Sequence, residues 1–216
     1  LKMSKLHVFD MDGTLIDSEP LWFENEVKLM AQFDYEWRVS DQLSCIGGPI
    51  GRVAKYMADR AGGENQPEFF AESLISMVSS DFEERLTFMP GALDLLKEVS
   101  GLGIHTALVS ASPRQMLDAT ARVLKNQYLQ LLISSDDVVN AKPDPECYLK
   151  AAAHFKVNIE ECLILEDSLT GVAAAKSSGA RVVAIPHLAI IPGDEQVVVI
   201  STLEAMSAAK LFALHN

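Results

Sequence analysis

Two aspartates separated by one residue, Asp10 and Asp12, sit in the stretch Asp10-Met11-Asp12-Gly13-Thr14. Far downstream come Ser110-Ala111-Ser112, then Lys142-Pro143-Asp144-Pro145, then Glu166-Asp167-Ser168 with Gly171. Gathered in one place, these carboxylates, a hydroxyl and a single cation would suit a divalent metal and a phosphoryl group. Mg2+ is a hard ion that takes oxygen ligands, typically one or two carboxylates with waters and substrate phosphate. Asp10 and Asp167 can supply the carboxylates, and the Asp12 backbone carbonyl can add a third protein ligand. Such a metal offsets repulsion between an anionic nucleophile and a phosphate dianion, so that an aspartate can attack phosphorus. Asp12 can protonate the leaving oxygen and later deprotonate the water that cleaves the aspartyl phosphate. Gly13 lets the chain turn sharply so that backbone N–H groups can face the phosphate. Ser110 can donate to a transferring oxygen, and Lys142 can neutralise developing charge.

Each of these groups follows a short apolar or β-branched run. The runs are Leu6–Asp10, Ile104–Ser110, Leu131–Ser134, Cys162–Glu166, Arg181–Ile185 and Gln196–Ile200. Runs of this length and continuity read as strands buried on both faces of a parallel sheet. Helix-period stretches lie between them at Gly91–Gly101, Pro113–Leu124, Pro145–Phe155 and Leu169–Ser178, with Gly101 and Gly179 expected as C-caps. Alternating strand and helix implies right-handed crossovers and a doubly wound, Rossmann-like α/β sheet, whose ligand lies beyond the strands' carboxyl ends. The segment 17–85 breaks the rhythm with helical patterns near Glu19–Phe33, Gly51–Ala61 and Glu68–Glu84 and no convincing strand. The expected organisation is therefore a catalytic core of 1–16 and 86–216, with 17–85 as an inserted helical cap. Its hinges are expected near Ile16–Ser18 and Thr87–Pro90. An Asp or Ser after a strand is often a plain helix N-cap, and Asp144 and Ser168 are read that way. Asp136-Asp137 reads as a solvated turn and Arg114 as a solvated cation at a helix start.

Composition narrows the partners. The 216 residues carry 18 basic and 30 acidic side chains, a formal net charge of −12, which argues against a nucleic-acid surface. Apolar residues make up 49% and charged ones 22%, a globular balance. No apolar run is long enough to span a membrane, and Leu1–Lys5 holds no apolar leader. Three cysteines without metal-ligand spacing fit reduced thiols in a cytoplasm. A cytoplasmic monomer acting on a small phosphorylated metabolite is the expectation.

The four groups, in this order, resemble the motifs of the haloacid dehalogenase superfamily: Asp10-Met11-Asp12-Gly13-Thr14, Ser110, Lys142-Pro143, and Glu166-Asp167-Ser168 with Gly171. The resemblance covers essentially the whole chain, including a helical cap between the first and second motifs. It implies a phosphotransferase core with Asp10 as nucleophile, Asp12 as acid/base, and Mg2+ held by Asp10, Asp12 and Asp167. Glu166 is a further candidate for contact with the metal or its waters. Ser110, with Ala111 beside it, and Lys142 would bind the phosphoryl group.

Asp12 argues against dehalogenation, since true haloacid dehalogenases lack an acid/base two residues after the nucleophile. The β-phosphoglucomutase branch shares the cap, the Ser-Ala-Ser pattern and the Glu-Asp-Ser motif, so a sugar-phosphate mutase is the first alternative. Thr14 favours the phosphatase side, as does the stretch Asp17–Trp22, which resembles bacterial phosphatases of small sugar and polyol phosphates. A non-catalytic, receiver-like phosphate binder is the second alternative, disfavoured by the cap and by Asp12. In the cap, Glu19 can reach a sugar hydroxyl or serve only as a first-turn acid. Arg52 is the one cation of the Gly47–Arg52 turn, which resembles the family's specificity loop, and both residues are candidate substrate contacts. Trp22 reads as cap core, and His7 and His105 are given no catalytic part.

Overall fold

The computed structural model describes residues 4–45, 49–63, 65–188 and 190–214. The chain runs β1 (Leu6–Phe9), β2 (Ile16–Asp17), α1 (Glu19–Ala31), α2 (Val39–Cys45), α3 (Ile50–Arg60), α4 (Pro67–Arg85), β3 (Thr87–Phe88) and α5 (Ala92–Gly101). It continues through β4 (His105–Val109), α6 (Arg114–Val123), β5 (Leu131–Ile133), α7 (Glu146–Phe155), β6 (Cys162–Glu166), α8 (Leu169–Ser178), β7 (Arg181–Ala184), β8 (Val197–Val199) and α9 (Ala208–Ala213). Two compact units result, one of Leu1–Asp17 with Thr87–Asn216 and one of Ser18–Leu86.

The first unit holds a six-stranded sheet in the order β5-β4-β1-β6-β7-β8, every pair parallel. All residues of β1 and β6 are buried, as the continuous apolar runs require when helices cover both faces. On one face Leu6, Val8, Val109 and Ile164 pack with Tyr148 and Ala151 of α7 and Val172 and Ala175 of α8. The strand order reverses at β1, which lies between β4 and β6, and this is where a doubly wound sheet opens its crevice. The α/β fold is as the sequence implied. Gly179 caps α8 in the left-handed region at φ 88°. Gly101 does not cap α5: it is the last helical residue, Leu102 follows as the cap, and Gly103 takes the positive φ of 73°.

Four elements escaped the sequence reading. β2 and β3 pair antiparallel, with Ile16 opposite Phe88 and Asp17 opposite Thr87, at the stretches read only as hinges. Two-residue strands are too short for any periodicity. The short helix α9 begins at Ser207, whose hydroxyl accepts from Lys210 N.

The fourth is α2, in the helical unit. Its apolar residues Val39 and Leu43 are exposed, the reverse of an amphipathic pattern. A buried polar hub holds it instead. Asp41 accepts from Arg38 N at 2.9 Å, Tyr35 Oη at 3.1 Å and Tyr56 Oη at 2.8 Å, and pairs with Arg60 Nε at 3.5 Å. Gly47 and Gly48 of the expected specificity loop lie outside the described residues; Pro49 caps α3, and Gly51 and Arg52 form its first turn. No helix among the described residues is long and apolar enough to cross a membrane. The three cysteines are free and buried.

Glu26 of α1 is buried in this unit and accepts from Trp37 Nε1 at 2.9 Å. Burial pushes its carboxyl up to about 7, with the Glu19 charge adding and the Trp37 bond opposing. The unfolded chain ionises this acid at lower pH than the folded one, so stability is lost as pH rises between about 4.5 and 7. Glu26→Gln keeps the acceptor and cannot ionise. In urea unfolding the variant should gain on the wild type by up to about 3 kcal/mol between about pH 5 and about pH 8.

Candidate active site

The register around β1 decides which residues meet. Phe9 lies opposite Leu108 of β4 and Leu165 of β6, so Asp10, Ser110 and Glu166 emerge at one edge of the sheet. Asp10 N donates to the Leu165 carbonyl and Ser110 N to the Ile133 carbonyl, each at 3.0 Å, which fixes both backbones just past the strand ends.

Lys142 reaches this edge from the loop before α7. Its Nζ donates to Asp10 Oδ1 at 2.7 Å, to Glu166 Oε1 at 2.6 Å and to the Val109 carbonyl at 3.3 Å. The Lys142 side chain is 6% exposed, Asp10 10% and Glu166 0%, so water screens these charges little. Glu166 is fully engaged. Its Oε1 also accepts from Tyr148 Oη at 2.6 Å. Its Oε2 accepts from Asp167 N at 3.1 Å, Ser168 N at 3.3 Å and Ser168 Oγ at 3.1 Å.

Asp167 completes an acidic group with Asp10 and Glu166, their oxygens within 4.8 Å of one another. Burial and then the Glu166 charge push Asp10 well above the usual carboxylate range, against the pull of Lys142. Burial, Glu166 and Asp12 push Asp167 up to about 8. Burial opposes the Lys142 charge, yet Asp10 and Glu166 hold the ammonium well above its usual value. Three clustered carboxylates with one lysine leave an uncompensated negative charge, and every donor is oxygen. This set fits a hard divalent ion such as Mg2+.

Asp12 stands apart from that group. Its Oδ2 accepts from Ser112 Oγ at 2.8 Å and from Ser110 Oγ at 3.3 Å. Ser110 Oγ in turn accepts from Ser112 N at 2.9 Å, and Ala111 lies exposed between the two serines. Three of the four acids expected at the metal therefore converge through their carboxylates, whereas the Asp12 side chain is held by hydroxyls.

Two glycines make room for the acids. Gly13 has φ +83°, and a Cβ there would overlap the Asp167 carboxylate. Its own N–H donates to the Ile16 carbonyl at 2.9 Å, so this amide is already used. A Cβ at Gly171 would overlap the Glu166 carboxylate. Ser168 caps α8 as expected, its hydroxyl accepting from Gly171 N at 3.0 Å. Asp144 accepts from Glu146 N at 2.9 Å, although the capping position of α7 is Pro145.

Asp137 and Arg114 stay partly exposed, in keeping with the solvated reading, and form an ion pair with each other that the sequence did not suggest. Asp137 also accepts from Ser134 N at 2.7 Å and Ser134 Oγ at 2.6 Å, and Arg114 donates to the Leu132 carbonyl at 3.2 Å. Burial opposes the Asp137 charge, but the Arg114 and Ser134 bonds hold its carboxyl down at about 2. Glu19 and Arg52 lie on α1 and α3 of the helical unit. Glu19 accepts from Gln42 Nε2 at 3.4 Å, and Arg52 donates to the Cys45 carbonyl at 3.0 Å.

Tyr148 and the Ser112–Asp12 bond were not singled out by sequence. The signal for Tyr148 is a phenol on an otherwise apolar helix face of Cys147, Ala151 and Ala152, where a buried hydroxyl must find an acceptor.

Gly171→Ala should force the Glu166 carboxylate out of its hydrogen bonds and cost about 1–3 kcal/mol or more in denaturant unfolding. Gly51→Ala, where nothing lies within 4 Å, should be neutral or stabilising by about 0.5 kcal/mol.

Residues 7–185 match the haloacid dehalogenase-like hydrolase family. A phosphorylated carbohydrates phosphatase of Thermotoga maritima is 30% identical over 182 residues, covering 83% of this chain and 84% of that one. Hexitol phosphatase B of Escherichia coli strain K12 is 32% identical over 184 residues, covering 83% and 82%. The crystal structure of β-phosphoglucomutase from Clostridium difficile superposes with a TM-score of 0.78 at 20% identity, covering 99% of this chain and 98% of that one, a likeness of fold. The family match runs through every strand that carries a residue of the acidic cluster, and the chain belongs to the haloacid dehalogenase-like hydrolases.

Proposed function

We propose that this protein is a Mg2+-dependent phosphatase that hydrolyses a small phosphate monoester, a sugar or polyol phosphate, through an aspartyl phosphate on Asp10. The observation that carries the reading is the contrast between Asp10, buried against Lys142 among acids, and Asp12, held two residues away by Ser112 and Ser110. The relatives named for phosphorylated carbohydrates and hexitols support the substrate class.

In this reading an Asp10 carboxylate oxygen attacks phosphorus while the bond to the ester oxygen breaks. Asp12 gives its proton to that leaving oxygen, so the alcohol departs neutral. Asp12 then takes a proton from a water that attacks the aspartyl phosphorus, releasing inorganic phosphate and restoring Asp10. Lys142 and Ser110, with Ala111 beside it, hold the phosphoryl oxygens. Asp10, Asp167 and the Asp12 carbonyl would hold Mg2+, which when bound would supply the positive charge that lets two anions approach. The Glu166 oxygens already accept from Lys142, Tyr148, Ser168 and two backbone amides, so its part is to anchor Lys142 rather than to bind metal. Residues 18–86 act as the cap, and Glu19 and Arg52 select the alcohol portion of the substrate. The protein works as a monomer in a reducing cytoplasm, which suits its three free thiols. A mutase would share the covalent step and return the phosphate to the sugar, so product analysis separates the two.

Incubation with a panel of sugar and polyol phosphates should release inorganic phosphate with Mg2+ and none after chelation, with recovery when Mg2+ is restored. Isomer formation without phosphate release would overturn the phosphatase reading. Asp10→Asn should abolish turnover with the fold intact. Retention of a tenth of the activity, a barrier cost of only about 1.4 kcal/mol, would count against covalent catalysis by Asp10. Asp12→Ala should slow sugar phosphates far more than an activated aryl phosphate, whose leaving group needs no proton. Equal losses on both would remove Asp12 as the general acid.

A further inference from the structure

Lys142 has three ammonium protons, and all three are committed: to Asp10, to Glu166 and, at the longest distance of 3.3 Å, to the Val109 carbonyl. A phosphoryl oxygen that comes to rest on this ammonium must displace one of these partners, and the Val109 contact is the neutral and longest one. How readily Lys142 leans toward such an oxygen depends on how strongly Glu166 holds it. Glu166 cannot turn away, because its Oε2 is fixed by two backbone amides and the Ser168 hydroxyl. The remaining control is at Oε1, where Lys142 and the Tyr148 hydroxyl both donate at 2.6 Å.

We infer that Tyr148 is a positioning residue, which keeps Lys142 shared between Glu166 and the bound phosphoryl group by occupying part of Glu166 Oε1. Tyr148 acts on Lys142 in two ways. Its hydroxyl draws off charge density that would otherwise fall on the Lys142 bond alone. Its ring lies with its centroid 5.1 Å from Nζ, giving the ammonium an attractive aromatic face. The geometry is fixed: Tyr148 is wholly buried in the first turns of α7, six residues after Lys142, and Asp144 ties down the start of that helix. Without the hydroxyl, the full charge of Oε1 pulls on Lys142 and the phosphoryl group loses part of its cation.

The inference rests on the phosphatase reading, and its test separates the two. Tyr148→Phe keeps the ring and removes only the hydroxyl. In Mg2+ buffer, the inhibition constant of inorganic phosphate should rise about 3- to 10-fold, comparable to the net worth of one ordinary hydrogen bond. KM for an aryl phosphate and for a sugar phosphate should rise by the same factor, since Lys142 holds the part common to both, while kcat moves less. Ala151→Gly loosens the same helix without touching Oε1 and should lower the melting temperature while leaving the phosphate inhibition constant alone. An unchanged constant in Tyr148→Phe, or an equal rise in Ala151→Gly, overturns the inference. If Tyr148→Phe does not fold, the wild-type Tyr148 hydroxyl proton is followed by NMR as inorganic phosphate is added. A shift on saturation supports the coupling and an unmoved signal refutes it. A wild-type protein that neither binds phosphate nor releases it from any ester defeats both readings. One that does both, with Tyr148→Phe indistinguishable from it, defeats this inference only.

Discussion

Two buried carboxylates, a third half-buried one and one lysine lie together where the strand order of a parallel sheet reverses, and most of the core unit's details answer the cost of putting them there. A buried charge without partners is expensive, and an ion pair offsets its desolvation only when the remaining lone pairs and protons are also satisfied. Glu166 meets that condition, with Lys142, Tyr148, Ser168 and two backbone amides around its two oxygens. Asp10 and Asp167 do not, and burial together with the Glu166 charge holds both above the ordinary carboxylate range. The missing ingredient is positive charge. A site that is electrostatically incomplete in this way is a site for a cation, and its oxygen donors select a hard one.

The helical unit resolves the same kind of problem differently. Glu26 is a single buried carboxylate with one neutral donor, Trp37 Nε1, and its carboxyl is pushed up to about 7. It can take a proton close to neutrality. Asp41, by contrast, gathers a backbone amide, two phenols and a guanidinium around one side chain, and so organises α2, whose apolar residues face outward. Charge burial thus has three solutions in one chain: protonation, saturation by donors, and a deficit that a metal would fill.

These solutions explain what was legible in the sequence. All six sheet strands and the four helices between them carry uninterrupted apolar or helical patterns, because burial on a sheet writes itself into neighbouring residues. The acids and the lysine were legible because each follows such a strand. What could not be read depends on contacts between distant residues. Helix α2 is held by Tyr35, Tyr56 and Arg60 meeting at Asp41, and no local pattern records that. The Arg114–Asp137 pair joins residues 23 apart, and each looks like an ordinary solvated charge in its own neighbourhood. Tyr148 was hidden for the opposite reason: on an apolar helix face its ring passes for core, and only the fold reveals where its hydroxyl points. Gly13 and Gly171 were visible as residues, but the reason for them, clearance for carboxylates more than 150 and just 5 residues away along the chain, is a property of the folded backbone alone.

Asp10 and Asp12 show how little sequence distance is needed to give one residue type two environments. The strand ends at Phe9, so Asp10 still follows the sheet edge and lies beside β6, while the turn that begins there carries Asp12 to the serines after β4. Asp10 meets a cation and two acids; Asp12 meets two hydroxyls, which can accept or donate as its proton comes and goes. Separating two carboxylates by environment is how a single site can run both nucleophilic and acid–base chemistry. The division requires the strand to stop where it does and the Ser110–Ser112 loop to start at the matching level on β4. Both follow from the register that places Phe9 opposite Leu108 and Leu165. The acidity of the whole chain, −12, does not bear on this balance. What matters is the handful of charges at one sheet edge, where a single lysine leaves room for one more cation and the substrate's own negative charge has to be met by both.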